Sequence, residues 1–508
     1  MVSTNRDELV GDGDDRRDGS DARGLRERID RLVLKWQGRL DTRGVDRAVP
    51  WFVAFAFFWV LFLLSAARLR SLEAGEDMAR WIQAAWLVGD GREPIVTVGG
   101  PEHALARHGS IGFVLLSLVA RLGDHATLLL AAQSASLAVP VVAFWRLARD
   151  VAKLRAAPSA AVVAAWCLHP AVHSLALDDF HPETVAIGPL AFALLWAAER
   201  RWIPFAAASV AAVAMRSDLG FAIAGTSILP TLSSRRARLA VILAGAGWSV
   251  LMVFFVQPAV TGGGPPLEGY ASYGDDVPSV LWGMVSRPLR VVGDLFAEES
   301  FGVLVFLFAP VLFLPLLAFR WLAPVVPLQV SYLIADVPES VSRGEHVVAA
   351  LPFLFAATTI ALARAGERGI ERIRVDGRVL AALLLASAVF FVRDSPSSPY
   401  QEPWRWGGRT VLDQARLAAV DLVAEDDRVR AAPKITPLLA KRRHVYVLDT
   451  SSRPDVQSAI DGVDVVVFDE AEALGWSDDQ RRIFRDGLMR QGMVRVFSEM
   501  GVEVYRKP

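Results

Sequence analysis

The sequence predicts an all-α polytopic membrane protein of about eleven transmembrane helices, followed by a small C-terminal α/β domain. The chain has 508 residues, of which 53% are hydrophobic, and its mean hydropathy is +0.34. Many of its apolar stretches approach the roughly 20 residues that a helix needs to cross a bilayer. After residue 393 these stretches stop, and short strand-like and helical segments alternate instead. A net charge of -1 gives no indication of nucleic-acid binding.

Residues 1–49 are predicted to form a cytoplasmic, largely disordered N-terminal tail. Residues 1–30 are polar, rich in glycine and of mixed charge, a composition that buries too little apolar surface to fold. They show no signal-peptide pattern, so we expect the first apolar segment to remain as a membrane anchor.

The transmembrane region is predicted to extend over residues 50–392. The run Ile111–Ala120 within it is too short to span unaided, and we interpret it as a half-buried or juxtamembrane helix. The predicted spans are 50–67, 126–145, 158–177, 184–198, 203–215, 219–232, 239–257, 301–319, 322–335, 347–363 and 379–392.

The distribution of basic residues orients these spans. Cytoplasmic loops carry an excess of Lys and Arg, and with the N-terminus inside nearly every basic cluster falls on that side. Counting 111–120 as a span would move 146–155 outside and send 178–183 to the cytoplasm. We therefore predict a multi-pass plasma-membrane protein with an external loop at 68–125 and an extracytoplasmic α/β domain at 393–508. The basic clusters are Lys35–Arg47, Arg146–Arg155, Arg200–Arg201, Arg235–Arg238, Arg320 and Arg364–Arg378.

Acidic, histidine and tyrosine residues collect on the opposite face, which predicts an extracytoplasmic site. Ionisable groups at membrane depth are costly and usually face a cavity, a partner or a substrate path. The clearest example is the run Asp178-Asp179-Phe180-His181-Pro182-Glu183 between two apolar segments. The same face receives Glu73, Glu76, Asp77, His103, His108, Arg216-Ser217-Asp218, the loop 258–300 with Tyr270, Tyr273, Asp275 and Asp276, and the segment Asp336–His346.

An amphipathic helix is predicted over residues 76–87 of the first external loop. Its apolar positions recur at helical spacing, and Trp81 and Trp86 suit the level of the lipid headgroups. Glu76 and Asp77 occupy the first turn, where the helix dipole favours anions. They either cap this helix or belong to the predicted site.

The residues around Asp179 allow three interpretations. Asp179 and His181 could bind a divalent metal, contact substrate hydroxyls, or fix the loop by capping a helix. Pro182 and Thr184 fit a helix start and support the capping interpretation. His108 has the same ambiguity. The loop 258–300 contains a Gly- and Pro-rich stretch at 262–266, so we expect it to be irregular and able to close over a substrate.

The C-terminal α/β domain is predicted from four strand-like and three helical segments. No Gly-rich phosphate loop precedes its helices, so nucleotide binding is not expected, and we interpret the domain as acceptor-binding or structural. The strands are Arg428–Ala432, His444–Leu448, Val463–Phe468 and Val494–Phe497, and the helices are 434–441, 453–460 and 477–491.

Several of these residues together resemble a known pattern. Asp77, Gln83 and Trp86 are followed by His108, by Gln133 in a span, by Asp179-Phe180-His181-Pro182, and by a charged tripeptide after the next hairpin. Over roughly residues 50–365 this order resembles a prokaryotic family of predicted polytopic membrane proteins, a domain of unknown function grouped with the GT-C glycosyltransferase superfamily. The family usually has Lys-Glu-Asp where this chain has Arg216-Ser217-Asp218, so one carboxylate is missing.

The resemblance implies a GT-C-like membrane domain that transfers a sugar from a polyprenyl-phosphate carrier to an extracytoplasmic acceptor. It matches Asp77 to the general base, with Glu76 beside it. Its implied partners are the lipid bilayer and the lipid-linked sugar donor, and no cofactor is certain, a divalent metal being an open alternative. Arg216 is the favoured group for the leaving phosphate, with Arg80 and Arg343 behind it. The predicted substrate-binding residues are His108, Asp178, Asp179, His181, Glu183, Arg216, Asp218 and Arg80.

Two other classes of function stay open at this point. A transporter or flippase would bind a cation or a headgroup through the external acids without breaking a bond, although such proteins tend to place ionisable residues near the bilayer midplane. A non-catalytic envelope scaffold would act through the C-terminal domain.

Overall fold

The computed structural model describes residues 41–263, 267–335, 344–368 and 372–508 of the chain, and helices dominate them. The predicted tail 1–40 and Arg343 therefore lie outside the described residues. The helices of the first half are α1 (Arg43–Arg70), α2 (Glu76–Gly89), α3 (Gly112–Ala120), α4 (His125–Ala138), α5 (Pro140–Arg146), α6 (Ala156–Leu168), α7 (Pro170–Leu177), α8 (Ile187–Ala198), α9 (Trp202–Met215), α10 (Leu219–Gly225), α11 (Arg235–Leu251) and α12 (Gln257–Thr261).

The second half continues with helices and ends in a sheet. Its helices are α13 (Val277–Ser286), α14 (Pro288–Leu295), α15 (Glu298–Phe308), α16 (Phe319–Leu322), α17 (Val326–Ile334), α18 (Val347–Ala365), α19 (Gly377–Asp394), α20 (Val411–Asp421), α21 (Val456–Ile460) and α22 (Asp478–Arg490). The strands of the whole chain are β1 (Ile95–Val96), β2 (Glu102–His103), β3 (Glu367–Arg368), β4 (Ile373–Arg374), β5 (Val429–Ala431), β6 (Val445–Val447), β7 (Val465–Asp469), β8 (Val494–Glu499) and β9 (Val502–Arg506).

Among the described residues, 5 helices are long and apolar enough to cross a membrane, or up to 7 if each of two bent pairs is one span. The other predicted spans correspond to shorter helices, such as Pro182–Ala198 and Trp202–Met215. At about 1.5 Å per residue such helices fall short of a hydrocarbon core of about 30 Å. The structure therefore supports a multi-pass helical membrane protein, and the count of eleven stays a prediction. The long helices are Arg43–Arg70, His125–Val151, Arg235–Thr261, Val347–Ala365 and Gly377–Arg405.

The predicted span 301–319 is not one straight helix. Ser300–Val311 and Leu314–Leu322 meet at an angle of 84°. Leu312 and Phe313 form the corner, and both adopt left-handed backbone conformations with φ of 54°, which residues with a side chain rarely do. Apolarity alone could not reveal this corner, because its residues are as hydrophobic as those of the helices beside it.

The helix α2 is buried inside the protein, which corrects the prediction of an interfacial helix. Trp81 is only 3% exposed, and its ring packs edge-on against Phe113, with centroids 4.7 Å apart, and against Phe180. One hydrophobic core joins α2 to α3, α4 and the C-terminal strands β5, β6, β7 and β9. The apolar face that suggested a lipid contact is thus covered by protein.

The C-terminal residues form a five-stranded sheet of order β6-β5-β7-β9-β8. Strands β6, β5 and β7 are parallel, whereas β9 runs antiparallel to both β7 and β8. The four predicted strands are present near their expected positions, the predicted helix 434–441 is only a 3-10 turn at Thr436–Leu439, and α20 and β9 were not predicted. We call residues 411–508 the C-terminal unit.

The outer edge of β6 is hydrogen-bonded to the loop 68–125. The Val447 N–H donates to the Val98 carbonyl at 3.0 Å, and the Thr97 hydroxyl donates to the Val445 carbonyl at 2.8 Å. The fully buried Gln83 amide of α2 donates to Thr97 and to the carbonyls of Arg442 and Arg443. The C-terminal unit therefore holds α2 in place, and its independence as a domain stays a prediction.

Candidate active site

A cavity of about 580 Å³ lies where α9, α10, α12 and α17 approach one another. One part of its wall is polar and the other is apolar, which suits a ligand with a charged end and a hydrophobic body. The polar part consists of Arg107, His108, Arg216, Ser217, Asp218, Gln257, Tyr270, Ser331, Tyr332 and His346. The apolar part consists of Phe221, Val253, Phe254, Leu267, Pro327, Leu328 and Ala335.

Arg216 and Asp218 form a bidentate ion pair in the polar wall. Arg216 ends α9 and Asp218 precedes α10, so the turn between the helices brings their side chains together. Arg216 Nε and Nη2 donate to the two carboxylate oxygens at 2.8 and 3.0 Å, and Nη2 also donates to the Tyr332 hydroxyl at 2.9 Å. Burial raises the pKa of Asp218, but the Arg216 guanidinium outweighs it and brings that pKa to about 2.

Ser217 joins this turn to the loop 68–125. Its N–H and its hydroxyl both donate to the His108 carbonyl, at 3.0 and 2.9 Å. Gly109 next to His108 has a φ of +60°, and a Cβ there would lie 3.0 Å from the Ser217 hydroxyl. Ser217 therefore fixes the position of His108.

His108 contacts a buried carboxylate. Its Nε2 lies 3.1 Å from Oε1 of Glu183, whose side chain is 1% exposed, and Oε2 of Glu183 has no hydrogen-bond partner among the described residues. Burial raises the pKa of Glu183. Burial, together with the Arg216 charge, lowers the pKa of His108 to about 3. His108 is therefore neutral near pH 7, and the pair carries at most one charge.

Glu345 and His346 complete this side of the cavity. The Glu345 carbonyl accepts from Arg216 Nη1 at 2.8 Å, and the His346 ring packs on Tyr332 with centroids 4.4 Å apart. Burial raises the pKa of Glu345, but His346 and His108 outweigh it and bring that pKa to about 2. Burial and the Arg216 charge lower the pKa of His346 to about 4.

Asp77 lies in a second charged cluster beside the cavity. Its Oδ1 is 3.2 Å from Arg107 Nη1 and 3.7 Å from Arg80 Nε. Arg80 is 5% exposed and also pairs with Glu76 at 3.2 Å and with Glu102. Arg107 is 44% exposed at its side chain and lines the cavity. Arg107 thus connects Asp77 to the cavity, while Arg80 holds the cluster together from within the protein.

Asp179 caps the helix that carries Asp77. Its carboxylate accepts from the Gly75 N–H at 3.0 Å and from the Met78 N–H at 3.1 Å. The N-cap residue Gly75 has no side chain to do this, and the first backbone N–H groups of a helix need partners. Of the three interpretations left open for Asp179, capping is the one that its contacts support, although the capped helix is α2.

His181 lies between this cap and the buried Glu183. Its N–H donates to Gln133 Oε1 at 3.0 Å, and its Nε2 is 3.7 Å from Asp178 Oδ2. Burial lowers the pKa of His181, but the charges of Glu183 and Asp178, with smaller contributions from Asp77 and Glu345, outweigh it and raise that pKa. The acids of the first loop, of 178–183 and of 345 therefore share one electrostatic neighbourhood.

Three of the predicted site residues line the cavity, namely His108, Arg216 and Asp218. Asp77 contacts the lining residue Arg107, and Glu183 contacts the lining residue His108. Glu76, Arg80 and His181 do not line the cavity, and Asp178 and Asp179 line a separate, smaller pocket. Sequence reasoning did not select Arg107 or Tyr332, and it included Glu345 only within the segment Asp336–His346. Arg107 had a detectable signal, since it precedes His108 directly. The described residues include no group of three or more metal-ligating side chains that could hold an ion.

Fold and site together define a polytopic membrane protein with an amphiphilic, charge-lined cavity between helix ends. The chain belongs to the DUF2079 family of predicted membrane proteins, whose family model matches residues 68–491. No curated protein matches its sequence.

Two solved structures of ArnT from Cupriavidus metallidurans are similar to this chain. The structure bound to undecaprenyl phosphate is 13% identical, with 90% of this chain and 98% of that chain covered and a TM-score of 0.48. The apo structure is also 13% identical, with 88% and 97% covered and a TM-score of 0.45.

Proposed function

We propose that this protein is an integral-membrane glycosyltransferase that moves a sugar from a polyprenyl-phosphate carrier to an extracytoplasmic acceptor. The observation that carries the proposal is the half-polar, half-apolar cavity, whose arginine Arg107 contacts the Asp77 carboxylate. The resemblance of residues 50–365 to proteins grouped with the GT-C superfamily points the same way. A lipid phosphate matches both halves of the cavity wall.

Arg107 and Arg216 bind the phosphate in this proposal. Charge-assisted hydrogen bonds from guanidinium groups are the strong contacts to phosphate oxygens. Arg216 is anchored by Asp218 and Tyr332, so it offers a fixed donor direction. Arg107 is more exposed, and its ion pairs are with Asp77 and Glu102 at 3.2 and 3.8 Å, so it can turn toward the phosphate.

Asp77 acts as the general base in this proposal. When the donor phosphate draws Arg107 away, the Asp77 carboxylate loses its nearer cationic partner, keeps the more distant Arg80, and can accept the proton of an acceptor hydroxyl. The acceptor oxygen then bonds to the anomeric carbon, and the bond from that carbon to the phosphate oxygen breaks. The polyprenyl phosphate leaves with the electron pair, and Arg107 and Arg216 stabilise its charge.

The test compares Asp77→Asn with Asp90→Asn in proteoliposomes. Asp90 is a suitable control because it lies at the other end of α2, is similarly exposed and also pairs with an arginine. The proteins are offered a panel of polyprenyl-phosphate-linked monosaccharides with envelope extract as acceptor, and released polyprenyl phosphate is measured. We expect release with at least one donor and a loss of about 100-fold or more in Asp77→Asn alone. Equal release by both variants would contradict the proposal.

A transporter is the second candidate, and one observation favours it. The helices α9 and α10 are short and meet at the charged Arg216–Asp218 turn, as discontinuous helices do in transporters. The same assay separates the two classes. A transporter would move the lipid-linked sugar across the vesicle membrane intact and release no polyprenyl phosphate.

A further inference from the structure

Residues 277–296 form a helical hairpin with two different faces. The first helix, α13, ends at Ser286, and α14 begins at Pro288 after the corner residue Arg287. Val280, Met284, Val291 and Leu295 face inward and pack with Tyr270, Tyr273, Val330 and Ile334. The outer face exposes six large apolar side chains, namely Leu281, Trp282, Val285, Leu289, Val292 and Phe296, each 51% exposed or more.

This outer face is unlike a surface that meets water. Contiguous exposed apolar patches mark contact with a partner or a membrane, and here all six side chains fall within 16 residues. The chain enters the hairpin from the candidate span Arg235–Thr261 and leaves it toward the bent pair that starts at Ser300. At about 1.5 Å per residue neither helix of the hairpin can cross a bilayer. Its place in the chain therefore puts it at the membrane boundary.

Two arginines give the hairpin a charge that complements lipid phosphates. Arg287 and Arg290 are both exposed, and no described carboxylate forms an ion pair with either. The Arg290 guanidinium lies 5.3 Å from the centre of the Tyr273 ring. Asp294, the acid within the hairpin, accepts from the Tyr273 hydroxyl on the inner side. Basic residues beside tryptophan and leucine are typical of helices that lie in the interface of an anionic bilayer.

We propose that the hairpin 277–296 lies in the membrane–water interface, with its outer face among the lipid chains and with Arg287 and Arg290 on the phosphates of anionic phospholipids. This inference is independent of the proposed transferase function. The hairpin is also a neighbour of the cavity, because its inner side chains pack with Tyr270. Tyr270 lines the cavity, and its hydroxyl donates at 3.0 Å to the carbonyl of Ser331, another lining residue.

A single-cysteine probe tests the depth of the hairpin. Cys167, the one cysteine of the chain, is replaced by Ala, and an environment-sensitive fluorophore is attached at Leu289→Cys or at Leu474→Cys. Leu289 and Leu474 are 86% and 85% exposed, but Leu474 lies in the C-terminal unit. In phosphatidylcholine–phosphatidylglycerol vesicles, quenchers on the lipid chains should quench only the Leu289 probe. If the lipid-chain quenchers leave the Leu289 probe unquenched, the proposal is overturned. The probe would then lie in water or against a second copy of the chain.

The headgroup contact is tested in the same vesicles. The quencher is placed either on phosphatidylglycerol or on phosphatidylcholine, and the Leu289 probe is compared in the Arg287→Gln/Arg290→Gln background. With both arginines present, we expect phosphatidylglycerol to be enriched around the hairpin by about fivefold for each arginine. The probe should therefore be quenched more strongly when the quencher is on phosphatidylglycerol than when it is on phosphatidylcholine. The double variant should lose this preference while keeping its thermal stability. An unchanged preference would overturn the assignment of these arginines.

Discussion

At the scale of single residues, Asp179 supplies to α2 the cap that Gly75 cannot. Replacing Asp179 by Ala leaves the Gly75 and Met78 N–H groups without this partner in a partly buried place. We expect a loss of about 1–2 kcal/mol in the free energy of unfolding, measured as a lower thermal midpoint in detergent.

The neighbouring residue provides the control for this prediction. Asp178 carries the same carboxylate but is 51% exposed at its side chain, and its Oδ1 accepts from the N–H of Asp179. Asp178→Ala should shift the midpoint much less. Equal shifts in the two variants would mean that the cap contributes nothing specific.

His108 predicts a stability that falls with acidification. An unfolded histidine has a pKa of about 6.5, whereas burial and Arg216 lower the pKa of His108 to about 3. Between these values the unfolded chain binds a proton that the folded chain does not, so stability is lost as the pH falls from 6.5. The loss amounts to about 2 kcal/mol between pH 6.5 and pH 5. Thermal midpoints of His108→Gln should fall less over this range than those of the wild type, and parallel curves would count against a neutral His108.

The site residues show what a single chain can predict at this scale. Residue type and the predicted membrane side placed Asp77, His108, Glu183, Arg216 and Asp218 on one face, and the structure has them in one region, while their roles stay predictions. Residue type and predicted membrane side could not distinguish the role of Asp179 from the roles of its neighbours. A carboxylate that caps a helix and one that binds a substrate have the same sequence signature. The difference lies in a partner, Gly75, more than a hundred residues away in the chain.

At the scale of elements, α2 depends on the C-terminal unit. Gln83→Leu removes the amide that contacts Thr97 and the carbonyls of Arg442 and Arg443, and it leaves the Thr97 N–H, which donated to Gln83 at 2.8 Å, without a partner. We expect a loss of about 1–3 kcal/mol in the free energy of unfolding and faster hydrogen exchange in α2 and β6. Gln491→Leu, at an exposed position of the C-terminal unit, should change neither. Unchanged protection of α2 from hydrogen exchange in Gln83→Leu would mean that the Gln83 amide does not hold α2 and the C-terminal unit together.

Two elements show where sequence patterns failed. The Gly- and Pro-rich stretch at 262–266 led us to expect an irregular loop over 258–300, yet α13 and α14 form a packed hairpin within it. The strand β9 follows a tight turn at Met500 and Gly501, both with positive φ. Methionine is unusual in such a turn, so the usual Asn-Gly signal was missing.

At the scale of the whole molecule, the shared core changes how the C-terminal unit can be studied. Deleting it would uncover buried residues of α2 such as Met78 and Trp81, so any function would be lost whether the unit binds an acceptor or only supports the site. Point variants at the cavity are therefore the more informative experiments. The hydropathy of the chain predicted a multi-pass helical protein, but it could not give the number of crossings, because short and bent apolar helices resemble spans in composition.

The binding of polyprenyl phosphate to the purified full chain tests the central claim most directly. We expect saturable binding that needs the phosphate, with little binding of the corresponding polyprenol. Arg107→Gln should weaken the affinity by about 10- to 100-fold, because a charge-assisted contact to the phosphate is lost. Arg92→Gln, which alters an equally exposed arginine of the same loop, should bind as the wild type does. Equal binding of phosphate and polyprenol, or equal affinities of the two variants, would contradict a lipid-phosphate site in this cavity.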